Sequence, residues 1–271
     1  MSQKVRSAIV TLAMGEAIEN LDYTFSSFAK CPGVELHVFI IGTRLPQQRI
    51  PRVEYHLLAP VPDFSHPLRE IYFRRMEVLD SLGVDYALTV DSYDALCLQP
   101  LPPFEQLLGN AHVAACVEHI GCRYILGQEY TANFLNGGVF LWDVPRSRDI
   151  RAEIVRRGRD HFRTIADDQF CLNEVIQTKY YDRLRILPCQ YNYRAYLKDT
   201  YKSKRRGWPT VTHLDGVVIY HNATCIPAVK KMPPFKPCAA LPPLPVDGRP
   251  RTPYEQFWRR FRNRLKPWVV K

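Results

Sequence analysis

Two carboxylates, Asp91 and Asp94 in the run Asp91-Ser92-Tyr93-Asp94, follow directly on the apolar stretch Tyr86-Ala87-Leu88-Thr89-Val90. Acids spaced i, i+3 across a tight turn can bend toward one point, and there they repel each other unless a cation lies between them. Hard divalent ions such as Mg²⁺ or Mn²⁺ suit oxygen ligands and usually arrive with a phosphate-bearing substrate. A second reading needs no metal: Asp91 caps a turn and Asp94 is a solvated surface acid, since Asp and Ser favour turns by themselves. Three other islands carry chemically useful groups. Asn136-Gly137-Gly138 supplies either a turn where backbone approaches a ligand closely or a plain β-bulge. Asp167-Asp168-Gln169 opens a helix, where acids either meet a substrate or simply cap the helix and complement its dipole. Val217-Val218-Ile219-Tyr220-His221 ends an apolar run in an imidazole, which is either a ligand or a satisfied structural histidine.

The elements that must position these groups alternate along the chain. Val5 to Met14 reads as a strand and Glu16 to Ala29 as a helix; Val34 to Gly42 and Val53 to Ala59 read as strands. Pro67 opens a helix that Gly83 ends, with Leu68, Ile71, Tyr72, Leu79 and Leu82 on one face. The strand Asp85 to Val90 then delivers the acidic turn. Ala111 to Val117 and Asn133 to Trp142 follow as strands, the latter entered through its double glycine. Ser147 to Phe162 and Asp167 to Lys179 read as helices, and Leu184 to Leu187 and Val217 to His221 as short strands. Such alternation predicts an α/β layered fold with a mostly parallel sheet, whose ligands bind beyond the carboxyl ends of the strands, where Asp91 and Asp94 fall.

At 271 residues and 46% hydrophobic, the chain can bury a large core within one main domain. Eight of its 22 prolines crowd one segment, Pro233 to Pro253, which reads as an extended linker. The Ala8 to Met14 stretch is too short for a signal core, and nothing approaches the roughly 20 apolar residues of a membrane span. The eight cysteines form no CxxC pair and several lie in apolar runs, so they read as small buried hydrophobes in a reducing compartment. The sequon Asn222-Ala223-Thr224 is then idle. Much of the net charge of +10 gathers after Arg249, where basic residues face Glu255 alone.

The order of the four islands resembles that of the GT-A glycosyltransferases that use nucleotide sugars. Leu88-Thr89-Val90-Asp91-Ser92-Tyr93-Asp94 resembles the signature of the glycosyltransferase domain of procollagen lysyl hydroxylases, with a DxxD in place of the usual DxD. Phe134-Leu135-Asn136-Gly137-Gly138 and Asp167-Asp168-Gln169 resemble segments of the same domain. Leu187-Pro188 followed by Tyr191-Asn192-Tyr193 is similar to the family 8 retaining glycosyltransferases. The resemblance runs from about Arg6 to Lys231 and implies a GT-A (Rossmann-like) domain over 1–231. It implies that Asp91, Asp94 and His221 ligate Mn²⁺, or Mg²⁺, and that a UDP-sugar is the donor. Tyr93 and Ser92 would then lie beside the nucleotide, with Thr11 and Ala13 lining its pocket. Asn136, Gly137, Asp167, Asp168 and Gln169 would face the sugar and the acceptor, and Arg69 or Arg74 would reach the diphosphate. These relatives place a glycine and a lysine shortly after the histidine. Here the run is His221-Asn222-Ala223-Thr224-Cys225 and the lysines come later, so Lys230 is the candidate diphosphate contact.

Beyond the linker at 232–252, residues 253–271 read as a basic amphipathic helix. Thr252-Pro253-Tyr254-Glu255 has the form of a capping box, and Tyr254, Phe257, Trp258, Phe261 and Leu265 recur at helical spacing among arginines. Such a helix suits an anionic membrane surface; the alternative is an aromatic stripe docked on the domain. The expectation is a cytoplasmic, peripherally membrane-associated hexosyltransferase acting on a glycan or glycolipid acceptor. Its competitors are an inactive nucleotide-sugar-binding module and a nucleotidyltransferase on a similar sheet. Met14-Gly15-Glu16 lacks the glycine-rich basic loop expected of the latter. Nucleic-acid binding through the tail has little support, because the body shows no matching basic face or reading motif.

Overall fold

The computed structural model describes residues 5–14, 21, 23–60, 67–118, 124–125, 128–129, 134–161, 167–197, 210–222 and 229. The sequon threonine, Lys230, the basic run around Lys204 and the segments at 232–252 and 253–271 lie outside the described residues. β1 (Ser7–Ala13), β2 (Glu35–Ile41), β3 (Val53–Leu58) and β4 (Tyr86–Val90) are mutually parallel. They form one half of a seven-stranded sheet of order β10-β6-β9-β4-β1-β2-β3. β5 (Ala95–Cys97) lies outside that sheet. β9 (Leu135–Asp143) runs antiparallel to both β4 and β6 (Val113–Val117), and β10 (Leu184–Leu187) extends the far side parallel to β6. Short pairs complete the strands: β7 (Tyr124–Ile125) with β8 (Gln128–Glu129), β11 (Tyr196–Leu197) with β12 (Thr210–Val211), and β13 (Ile219–His221) with β5.

The alternating side chains of the central strands explain the layers. Ala8, Val10 and Leu12 of β1 face one core with Phe73 and Met76 of α1 (Pro67–Glu77), Ile150 and Ile154 of α3 (Arg148–His161), and Leu172 and Val175 of α4 (Asp167–Lys179). Ile9 and Ala13 face the other core with Phe25, Phe28 and the residues of α2 (Phe104–Leu108). Being buried on both faces, β1 and β4 read as near-continuous apolar runs, as parallel strands do.

Two expectations change. Phe25–Lys30 is a 3-10 helix, not the end of a regular α-helix. Ser26 Oγ and Ser27 Oγ donate back to the carbonyls of Tyr23 and Thr24, offering the backbone a tighter turn, and Phe25 and Phe28 pack with tilted rings, centroids 5.9 Å apart, at the three-residue spacing that buries both. The double glycine is not a turn. Gly137 and Gly138 lie inside β9, whose register against β6 jumps from Ala115↔Phe140 to Val117↔Leu135, so 136–139 bulges opposite Cys116.

Candidate active site

β4 ends at Val90, and the chain leaves the sheet through Asp91 into the turn Ser92-Tyr93-Asp94 before β5 begins. β5 pairs antiparallel with β13 so that Ala95 lies opposite His221, and Asn222 N–H donates to the Asp94 carbonyl at 3.1 Å. On its other side β13 is held by Tyr193, whose N–H donates to Ile219 O at 2.8 Å and whose carbonyl accepts from His221 N–H at 2.9 Å. The imidazole is thereby fixed over the acidic turn: His221 Nε2 lies 3.4 Å from Asp91 Oδ2 and 3.2 Å from Asp94 Oδ2.

A chain of hydrogen bonds settles which way this imidazole points. Gly138 N–H can only donate, and it donates to Asn136 Oδ1 at 2.9 Å; that oxygen also accepts from Asn192 Nδ2 at 2.7 Å. Asn136 Nδ2 in turn donates to Glu118 Oε2 at 2.6 Å, which Arg194 also holds at 3.1 Å. Asn192 therefore presents its oxygen to His221 Nδ1, 2.9 Å away, and Nδ1 must carry the hydrogen. The lone pair on Nε2 then faces two carboxylates. That arrangement is repulsive unless a proton or a metal ion occupies the gap.

Electrostatics point the same way. Burial would raise the Asp91 pKa, but the hydrogen bond to His221 and the Arg75 guanidinium hold it well below the usual carboxylate range. Burial would lower the His221 pKa, yet the Asp94 charge and the bonds to both carboxylates push it up to about 9 against repulsion from Arg194. Asp94 Oδ1 is buried with no hydrogen-bond partner among the described residues. The atoms of Asp91, Asp94 and His221 lie within 4.8 Å of one another, a set of oxygens and one imidazole that fits a divalent ion such as Mn²⁺. Gly138 leaves the room: a Cβ there would lie 2.1 Å from His221 Cε1 and 2.5 Å from Asp91 Oδ2.

The neighbouring wall comes from α1, β9 and α4. Arg75, buried on α1, donates to Asp91 Oδ1 at 2.7 Å and to the Gly137 carbonyl, and lies 3.7 Å from Asp168 Oδ2. Gln169 Oε1 accepts from Gly137 N–H at 3.0 Å, while its Nε2 is buried without a hydrogen-bond partner among the described residues. One turn on, Asn173 clamps α4 to β9 through both backbone groups of Leu135, at 2.7 and 2.9 Å. The site thus offers a cation position, a guanidinium, a free amide N–H and a carboxylate side by side.

The residues singled out from the sequence divide accordingly. Asp91, Asp94, His221, Asn136, Gly137, Asp168 and Gln169 gather here. Ser92 is buried, its carbonyl accepting from Thr24 Oγ1, while Tyr93 is about half exposed at 47% beside Asp94. Thr11 and Ala13 are fully buried in β1, and Thr11 Oγ1 donates to Val90 O at 2.8 Å. Arg74 donates to the Ala59 carbonyl. Arg69 and Asp167 lie on α1 and α4 with side chains outside the described residues, as does Lys230. Sequence reasoning missed Arg75 and Glu118 as site residues, and took Gly138 only as part of the Asn136-Gly137-Gly138 island. Arg75 adjoins the chosen Arg74, and only its helical phase distinguishes them. Asn192 stood in the noted run Tyr191-Asn192-Tyr193 without a role.

Neither the protein-family models nor the curated proteins compared with the chain give a match. Solved structures do. The chain is similar to the glycosyltransferase GlyE of Streptococcus pneumoniae TIGR4, with 20% identity and a TM-score of 0.50 over 70% of this chain and 47% of that one. It is similar to the galactosyltransferase LgtC in complex with donor and acceptor sugar analogs, with 18% identity and a TM-score of 0.51 over 79% of this chain and 86% of that one. The bifunctional glycosyltransferase WbbM gives 14% identity and a TM-score of 0.51 over 72% and 40%. The chain spans about half the length of GlyE and less of WbbM. At these identities the likeness is one of fold: a GT-A-like, mixed and mostly parallel sheet flanked by helices.

Proposed function

We propose that this chain is a metal-dependent glycosyltransferase that moves a hexose from UDP-hexose to a glycan or glycolipid acceptor with retention at the anomeric carbon. The observation that carries the reading is the fixed polarity around His221, which aims Nε2 and two carboxylates at one point beyond the carboxyl end of β4. A GT-A-like fold and the DxxD resemblance supply the class of donor. Asp91, Asp94 and His221 would hold Mn²⁺ or Mg²⁺, which supplies charge compensation for a departing diphosphate. Arg75 orients Asp91 and keeps positive charge beside the same place. Gln169 Nε2 offers a hydrogen bond to a sugar hydroxyl, and the Asp168 carboxylate offers negative charge to an oxocarbenium-like sugar. Tyr93 offers an exposed ring face to the base.

Residues 1–231 form the catalytic domain in this reading. The linker at 232–252 and the helix at 253–271 hold it at the anionic cytoplasmic face of a membrane, where a lipid-linked acceptor would be found.

Calorimetric titration with UDP, with and without Mn²⁺, tests the reading together with a panel of UDP-sugars scored for released UDP. Metal-dependent UDP binding that disappears in Asp91→Ala/Asp94→Ala is expected, along with slow hydrolysis of one donor. A second reading, an inactive nucleotide-sugar-binding module, draws on the run Asn222-Ala223-Thr224, which lacks the glycine and lysine of the relatives. Metal-dependent binding with no UDP released from any donor selects it. UDP affinity indifferent to Mn²⁺ and to the double substitution removes both.

A further inference from the structure

We propose that His37, Glu54 and His56 form a second metal site, separate from the acidic turn and suited to Zn²⁺ or a similar borderline transition ion. The three residues lie on adjacent parallel strands at the edge of the sheet, with His37 of β2 opposite Glu54 of β3 and Phe39 opposite His56. His37 Nδ1 is 3.0 Å from His56 Nε2; Glu54 Oε2 lies 3.7 Å from His37 Nδ1, and Glu54 Oε1 lies 3.8 Å from His56 Nε2. A tetrahedral Zn²⁺ with bonds of about 2.0–2.2 Å requires ligand atoms about 3.3–3.5 Å apart. The observed separations bracket that value, so side-chain shifts of a few tenths of an ångström would close the site.

Tautomer and support favour a ligand over an ordinary histidine pair. His37 is 4% exposed, and its Nε2 lies 3.3 Å from Glu35 Oε2, a carboxylate oxygen that can only accept. Glu35 is itself held by Arg6 through two bonds of 3.0 Å. Nε2 therefore carries the hydrogen, and the Nδ1 lone pair points at His56. A carboxylate behind the far nitrogen is the arrangement that orients metal-bound histidines and raises their basicity. The His56 ring stacks on Phe39, with centroids 4.3 Å apart and planes 16° apart, which fixes its direction too. Glu54 is 67% exposed in its side chain, so the fourth position opens to water. Two imidazoles and one carboxylate make a donor set suited to Zn²⁺, whereas two carboxylates and one imidazole at the acidic turn suit a harder ion.

The two sites share no residue. Register places His37 opposite Val10, and Val10 opposite Thr89 of β4, so His37 stands two strand spacings, about 10 Å, from the strand that leads into Asp91. An ion shared by β2 and β3 would tie the edge strand to the sheet, a structural role that does not depend on glycosyl transfer.

The test is zinc stoichiometry and affinity of the metal-stripped full-length chain, measured by competition against a chromogenic chelator, with Co²⁺ absorption as a readout of tetrahedral geometry. His56→Gln should lower zinc binding by one equivalent, abolish the tetrahedral Co²⁺ bands and remove the Zn²⁺-induced rise in melting temperature. Glu54→Gln, on a largely exposed side chain that leaves folding intact, should weaken zinc binding roughly 10–100-fold. Asp91→Ala/Asp94→Ala should keep the tetrahedral Co²⁺ signal. Zinc binding absent from the wild type, or unchanged in both His56→Gln and Glu54→Gln, overturns the proposal.

Discussion

Gly138→Ala isolates the geometric claim about the acidic turn, because the glycine stands beside the cation position and contributes no side chain to it. The added Cβ would fall 2.1 Å from His221 Cε1, 2.9 Å from its Nε2 and 2.5 Å from Asp91 Oδ2. A tolerable contact needs about 3.4 Å, so the imidazole or the strand must give way by 3.4 − 2.1, about 1.3 Å. The strand is poorly placed to do so: Gly138 O accepts from Asp91 N–H at 2.8 Å, and Gly138 N–H donates to Asn136 at 2.9 Å. The ring is held at Nδ1 by Asn192. Ligand positions are tolerated to about 0.2 Å, so a displacement several times larger should cost Mn²⁺ affinity at least about 10–100-fold. Overpacking of this kind costs about 1–3 kcal/mol, less than the total stability of about 5–15 kcal/mol of an ordinary domain, so the variant should still fold. Gly137→Ala is the internal control, since its Cβ would lie 3.4 Å from Gln169 and 3.6 Å from Asp168 Oδ2, at or near ordinary contact. The assay is calorimetric or paramagnetic-resonance titration of Mn²⁺ into both variants, with a melting curve to verify folding. A folded Gly138→Ala protein that binds Mn²⁺ as the wild type does, or an equal loss in Gly137→Ala, would refute the placement of the ion.

Other perturbations read different parts of the molecule. Arg75→Lys keeps the charge but loses the planar fork that spans Asp91 and Gly137; turnover of the UDP-sugar should fall roughly 10²–10³-fold with a smaller change in UDP affinity, and unchanged turnover would remove Arg75 from the site. Burial would raise the Asp80 pKa, but Arg151 and Arg148 depress it, so the pair stabilises the fold above the unfolded carboxylate value of about 3.9 and the gain is lost as pH falls through the lower folded value. Asp80→Asn should cost about 0.5–1 kcal/mol at neutral pH, discounted because the Asp80 side chain is 39% exposed and its charge screened, and should flatten the acid limb of melting temperature against pH; an unaltered limb refutes the assignment. Gly158→Ala on α3 would push a Cβ to 2.1 Å from Phe73 Cζ, so stability should drop by about 1–3 kcal/mol while Mn²⁺ affinity holds. Truncation after residue 252 should abolish flotation with phosphatidylserine vesicles, and retention on DNA but not on these vesicles would overturn the membrane reading.

What the sequence made legible follows the range of the forces involved. Strand runs such as Ala8 to Ala13 and Tyr86 to Val90 are visible because a parallel sheet buries both faces. The acidic turn and the late histidine are visible because charge at the end of an apolar run is locally anomalous. Arg75 was hidden because a helix with arginines at 69, 74 and 75 gives no local sign of which one turns inward; that depends on how α1 lies against β9. The Phe25 turn was missed because serine hydroxyls bonding back to the chain override a helical apolar pattern. The antiparallel insertion of β9 between β4 and β6 is a matter of long-range pairing with no mark in its own residues. The His37–His56 cluster was equally unmarked, since only strand register brings residues nineteen positions apart to 3.0 Å.

The bland reading of each site residue also turns out compatible with the chemical one. Gly138 does sit in a bulge, Asp168 does lie in the first turn of a helix, and His221 is a buried, hydrogen-bonded histidine. What distinguishes the site is the direction in which these satisfied groups leave their remaining valences. Gly138 N–H fixes Asn136, Asn136 fixes Asn192, and Asn192 fixes His221, each link allowing one donor and one acceptor. The orientation of the last nitrogen is therefore dictated by a backbone amide on a different strand. Its lone pair ends up against Asp91 and against Asp94, whose second oxygen is buried without a hydrogen-bond partner among the described residues. Turning Asn192 over would avoid this conflict, but its oxygen would then face the Asn136 oxygen, which the Gly138 amide and Glu118 hold in place. A proton on Nε2 relieves the conflict when no ion is bound, and a divalent ion that displaces it would satisfy the nitrogen and both carboxylates at once.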